Sequence, residues 1–195
     1  MVRRAVFTLG FLLFHLAAAA ASLVVNVRDV RGGVIDDAVA WAVPVGRRIP
    51  APTRPAVMDQ KNRQFVPRIL VIQTGTAVSF PNSDNVRHQV YSFSPAKKFQ
   101  LPLYEGTPSA PVVFDLPGVV TLGCNIHDRM SAFIIVVDTP HFAVATKGKA
   151  TIAELPAGEY EVRIWHPGLR EATNPKRARL EAGGALEVTF TAGSE

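Results

Sequence analysis

The sequence predicts an all-β protein assembled from small β-sandwiches. Apolar residues alternate with polar ones at period two along most of the chain, and no segment keeps a helical period for three turns. In addition, 14 glycines and 15 prolines among 195 residues interrupt the alternation at close intervals. Many short strands broken by frequent turns fit sandwiches better than one barrel of long strands.

The elements follow in order. Residues 1–21 have the make-up of an export signal: Arg3 and Arg4 in front, an apolar run from Ala5 to Leu16, and small residues from Ala17 to Ala21. That run is shorter than the ~20 residues a membrane-spanning helix needs, and it carries His15. The expectation is cleavage near Ala21 and a periplasmic mature protein with no membrane span. Leu23, Val25 and Val27 alternate in a first strand, which turns at Arg31-Gly32-Gly33 into a hairpin with Val39, Trp41 and Val43. Pro44 to Pro55 reads as a connection. Strands are expected at Ile69–Gln73, Thr76–Phe80, Val86–Phe93, Val112–Phe114, Val119–Cys124 and Ala132–Val137. Ser94 to Pro111, with little alternation, reads as a long loop. After Asp138-Thr139-Pro140, strands are expected at Phe142–Thr146, Ala150–Leu155, Glu159–His166 and Ala185–Thr191. Residues 139–195 are too few for a comfortable core of their own. Joined to residues 22–46 they would make one small sandwich, split by an inserted domain over residues 56–138.

Net charge is +5, with Lys and Arg interspersed among Asp and Glu, which argues against a nucleic-acid-binding stripe. The cluster Arg170, Lys176, Arg177 and Arg179 reads as a solvated loop. A single cysteine excludes an intramolecular disulfide. In an exported protein a lone cysteine points to an intermolecular bond, a reactive thiol or a metal ligand.

The chemistry concentrates in Gly123-Cys124-Asn125-Ile126-His127-Asp128-Arg129-Met130, which sets a thiol, an imidazole and a thioether three residues apart between two strands. Cys124 shares parity with Val120 and Leu122, so its sulfur points inward. Upstream, His88 shares parity with Val86 and Val90, and an imidazole on an apolar face needs a partner. One Cys, two His and one Met, namely His88, Cys124, His127 and Met130, form a donor set suited to a blue-copper centre. Structural zinc rarely recruits a thioether, iron–sulfur clusters need more thiolates, and haem attachment needs a second cysteine. Met58 is a spare thioether with no spacing argument, and His141 and His166 read as strand-end packing. Asp128 and Arg129 read first as solvated loop residues, with a bias on partner docking as the alternative. No nucleophile–base pair or carboxylate pair supports hydrolysis.

Phe65-Val66-Pro67, Gly75, Phe80-Pro81-Asn82 before His88, and Pro117-Gly118 before Cys124 resemble the cupredoxins. The spacing of Cys124, His127 and Met130 is similar to the short-loop amicyanin type. Asp84-Asn85-Val86-Arg87-His88, Ser92 to Lys97 and Gly123 to Met130 resemble exported cupredoxin-like proteins labelled as methylamine-utilisation proteins. Asp36-Asp37-Ala38-Val39 and Leu155-Pro156-Ala157-Gly158-Glu159-Tyr160 are similar to carboxypeptidase-regulatory-like domains. The resemblance implies a Greek-key sandwich over residues 56–138 holding one type 1 copper ion through His88, Cys124, His127 and Met130. It implies a single-electron carrier serving redox partner proteins, not an enzyme. The alternative is a periplasmic protein that carries copper without shuttling electrons.

Overall fold

The computed structural model describes residues 19–47, 49–50, 54–108, 110–169 and 173–191. Most of the expected export signal and Arg170 therefore lie outside the described residues. Seventeen strands run through the described residues, and none of their helices is long and apolar enough to cross a membrane.

The chain begins with β1 (Ala21–Arg28) and β2 (Val39–Pro44). These are not the hairpin that the glycine turn suggested. β1 lies between β14 (Lys149–Leu155) and β17 (Ala185–Thr191), antiparallel to the first and parallel to the second. β2 lies in another sheet, between β13 (Phe142–Val144) and β15 (Gly158–Trp165), with β16 (Lys176–Leu180) at the edge. The two strands face each other across a core of Leu23, Val25, Val27, Ala40, Ala42, Ile152, Tyr160, Val162 and Phe190. Their alternation specifies a buried face but not a partner, and here burial across two sheets prevails over local pairing.

β16 corrects a second expectation. Lys176, Arg177 and Arg179 belong to a strand whose Ala178 and Leu180 are buried. Small Ala178 hid the alternation, while the charges face solvent on an edge strand, where they discourage unwanted pairing.

The middle of the chain builds a second set of sheets. β3 (Ala56–Val57), β7 (Thr76–Ser79) and β10 (Val112–Phe114) form one. β6 (Ile69–Gln73), β12 (Ser131–Val137), β11 (Gly118–Gly123), β8 (Tyr91–Ser94) and β9 (Lys97–Gln100) form a larger one in that order. β4 (Asp59–Lys61) and β5 (Gln64–Val66) make a short hairpin. Between them lies a core of Met58, Phe65, Val78, Phe80, Val90, Phe114, Val120, Leu122, Ile134 and Val136, with Cys124 and Met130 among it. The expected loop after Ser94 instead folds back as β9, pairing Ser92 with Phe99 and Phe93 with Lys98. The long strand expected from Val86 to Phe93 has ladder pairing only from Tyr91 onward.

β12 buries both faces. Ala132, Ile134 and Val136 enter the core around Cys124, whereas Ile135 and Val137 pack with Val39 and Val71 against Trp41, Phe142 and Trp165. A strand covered on both sides reads as a continuous apolar run, and Phe133 to Val137 is one. This third cluster joins the middle sheets to those of the two chain ends.

Candidate metal centre

Three sequence-selected donors meet at one end of the middle sheets. Val120, Leu122 and Cys124 are buried while Thr121 between them is exposed, so β11 delivers the sulfur inward just past its last residue. The chain then turns: the Met130 amide donates to the His127 carbonyl at 2.9 Å, closing the loop and returning Met130 to the core. His88 comes from the other side. Its amide and carbonyl pair with those of Tyr104 at 3.1 and 2.9 Å, so the segment expected to be a free loop fixes a donor's backbone.

The Cys124 Sγ lies 3.9 Å from His88 Nδ1 and 3.9 Å from His127 Nδ1. All three donor atoms fall within 4.8 Å of one another. Ring centroids of the two histidines are 4.9 Å apart. His88 is fully buried, and His127 is half-buried. Met130 is buried in the same core as Cys124, as is Met58.

The far nitrogen of His88 has an acceptor, which the sequence did not reveal. Asp84 Oδ2 lies 2.7 Å from His88 Nε2, with the Asp84 side chain 11% exposed. Asp84 is itself held by the β4–β5 hairpin: Asn62 N donates to Oδ1 at 2.6 Å and Arg63 N to Oδ2 at 2.8 Å. Both turn residues are left-handed, at φ 54° and 57°, which aims two consecutive amides at one carboxylate. Burial raises the Asp84 pKa, but the Arg63 amide, the His88 ring and the Asn62 amide outweigh it and hold the carboxyl below its usual range. The acidic residue four before His88 was the available signal, since ligating histidines commonly donate their second N–H to a carboxylate.

Asn82 braces the same loop, donating to the Val86 and Tyr104 carbonyls at 2.9 and 3.1 Å. The Tyr104 hydroxyl donates to the Phe80 carbonyl at 2.7 Å, and Gln60 donates to it. Burial pushes that phenol up to about 12, the Gln60 bond opposing and Cys124 adding to the rise, so it stays a donor. Two amides of the same loop are paired within the protein: Ser83 N donates to Gln60 O at 2.9 Å and Asp84 N to Asn82 Oδ1 at 3.0 Å.

His141 and His166 have neighbours of their own. His141 meets the Tyr160 ring edge-on at 6.1 Å, and burial, reinforced by Arg47, lowers its pKa. His166 Nδ1 accepts from Gly168 N at 3.0 Å.

No family model matches the chain, and no curated protein matches it. Solved structures do. A copper-containing nitrite reductase from Thermus scotoductus SA-01 is 26% identical at a TM-score of 0.41, over 49% of this chain and 25% of that one. A purple cupredoxin from Nitrosopumilus maritimus is 23% identical at 0.37, over 42% of this chain and 99% of that one. An oxidized amicyanin variant is 19% identical at 0.38, over 43% and 82% respectively. This chain spans a quarter of the reductase. With TM-scores this low, the functional reading rests on the donor geometry.

Proposed function

We propose that the chain is an exported type 1 copper protein that carries single electrons between redox partners, with His88, Cys124, His127 and Met130 as the metal ligands. The observation that carries this reading is the Cys124–His88–His127 triangle. Metal bonds to imidazole and thiolate of about 2.0–2.3 Å in one plane require donor separations of about 3.5–4 Å, and the two Cys124 edges are 3.9 Å. A buried thiolate with two imidazoles and a thioether in reserve is a copper set rather than a zinc set.

Copper held there would supply a one-electron couple between its +1 and +2 states. The protein's part is to keep the donors still. Asp84 holds the proton on His88 Nε2 and leaves Nδ1 free to face Cys124. The sheet core holds the sulfur, and half-buried His127 is the more exposed of the two histidines. Replacing Asp84 by Asn should weaken copper binding about 10–100-fold. Chelator competition measures this, and nitrogen NMR of His88 should show a mixture of tautomers where the native protein has one.

We read residues 56–138 as the copper domain and residues 22–46 with 139–195 as a sandwich that it interrupts. The sheets of the chain ends and those of the middle each enclose a core of their own, which supports this division. Ala21 is buried and paired with Leu155, so a signal cleavage that spares β1 falls before it.

Loading the purified protein with Cu(II) tests the function. One copper per chain, intense visible thiolate-to-copper absorption and reversible one-electron reduction are expected. A pale, rapidly exchanging site would favour copper carriage instead.

A further inference from the structure

Gln60 is fully buried, yet its Oε1 has no hydrogen-bond partner among the described residues. An apolar side chain of the same length would remove that orphaned acceptor and strand nothing. Pro81 O, which accepts from Gln60 Nε2 at 3.2 Å, also accepts from the Gln60 backbone amide at 3.1 Å. Natural chains break local rules of this kind mainly at functional sites. The other donation of the Gln60 amide goes to the Tyr104 hydroxyl, which itself donates to Phe80 O at 2.7 Å. Tyr104 in turn makes two backbone bonds with His88, at 3.1 and 2.9 Å, in an isolated bridge outside the strands. The β8–β9 ladder ends at Tyr91 and Gln100, short of this bridge. Its stiffness therefore leans on how the Tyr104 side chain is anchored.

We propose that Gln60 and Tyr104 are positioning residues for the metal centre; the proposal rests on the type 1 copper reading. The strut from Gln60 through Tyr104 to Phe80 fixes the His88 backbone, and with it the 3.9 Å edge between His88 Nδ1 and Cys124 Sγ. Asp84 holds the far side of the same ring at 2.7 Å, so His88 is gripped at both its backbone and its side chain. A centre that gives and takes single electrons works best with donors that do not move. Gln60 acts through Tyr104, and the amide is retained for where it places that residue, against the stability its unpaired oxygen costs.

The test uses Gln60→Met and Tyr104→Phe in the full protein. Without metal, hydrogen exchange at the His88 and Tyr104 amides should quicken in both variants, while amides of the β11–β12 ladder keep the native rate. The thermal midpoint of metal-free Gln60→Met should match or exceed the native value, because an orphaned acceptor is removed and Tyr104 keeps its bond to Phe80 O. Loaded with Cu(II), both variants should bind about tenfold more weakly in chelator competition and shift the visible thiolate-to-copper band. Native exchange at both amides, or native affinity and band in both variants, would overturn the positioning role while leaving the copper centre standing. A lowered midpoint in Gln60→Met would do the same, since the amide would then be holding the fold rather than the site. A native protein that takes up no copper overturns the copper reading and this role together, a failure seen before either variant is made.

Discussion

Replacing Cys124 by serine should abolish the intense visible absorption expected of the copper-loaded protein and lower its Cu(I) affinity by several orders of magnitude. The sulfur is the vertex of both 3.9 Å donor contacts, and it is the only thiol in the chain. A serine hydroxyl stays protonated at neutral pH and is a hard donor, so it replaces neither the charge nor the softness that Cu(I) selects. Folding should survive. Serine is close in size, and an unpartnered buried hydroxyl costs about 1–3 kcal/mol, in a site with His88 and His127 as prospective hydrogen-bond partners. Circular dichroism of the metal-free variant should match the native protein while the visible band is absent. A retained band would remove Cys124 from the ligand set.

The second large effect lies far from the metal. Tyr160→Ala should destabilise the sandwich built from the chain ends by about 3–5 kcal/mol. Tyr160 is fully buried, its hydroxyl donates to Pro156 O at 2.7 Å, and it accepts from Arg47 at 3.0 Å. The Arg47 guanidinium also covers its ring at 5.4 Å. Truncation leaves a cavity, an unpaired guanidinium and an orphaned carbonyl. Because the core around Tyr160 is distinct from the core around Cys124, the loss should fall on one transition. Calorimetry of the copper-loaded variant should show a thermal step lowered by roughly 15 °C or more, with the step that carries the colour in place. A single transition that moves both together would show that Val39, Trp41 and Trp165, packed on Ile135 and Val137, weld the two cores into one cooperative unit.

The legible part of the site was the part encoded by parity. Cys124 after Val120 and Leu122, and His88 before Val90, declare their inward direction within a few residues, because side chains alternate strictly along extended backbone. Asp84 was not legible in this way. Its importance depends on a turn at Asn62 and Arg63, more than twenty residues upstream, whose amides reach it only when β4 and β5 pack beside the His88 loop. Tyr104 was likewise hidden in a proline-rich stretch without alternation, although its backbone pairs with that of His88.

By itself the sequence determined an all-β chain and the inward direction of His88 and Cys124, and it marked His127 and Met130 as donors on the loop beside them. Each is a local property, set by residue type and period along a few ångströms of strand. Only the tertiary structure decided that β1 joins β14 and β17 rather than β2, that β9 and β16 are strands, and that Asp84 lies against His88. Those choices depend on which distant segments bury their surfaces together, and a two-residue period specifies a face to be covered without naming what covers it.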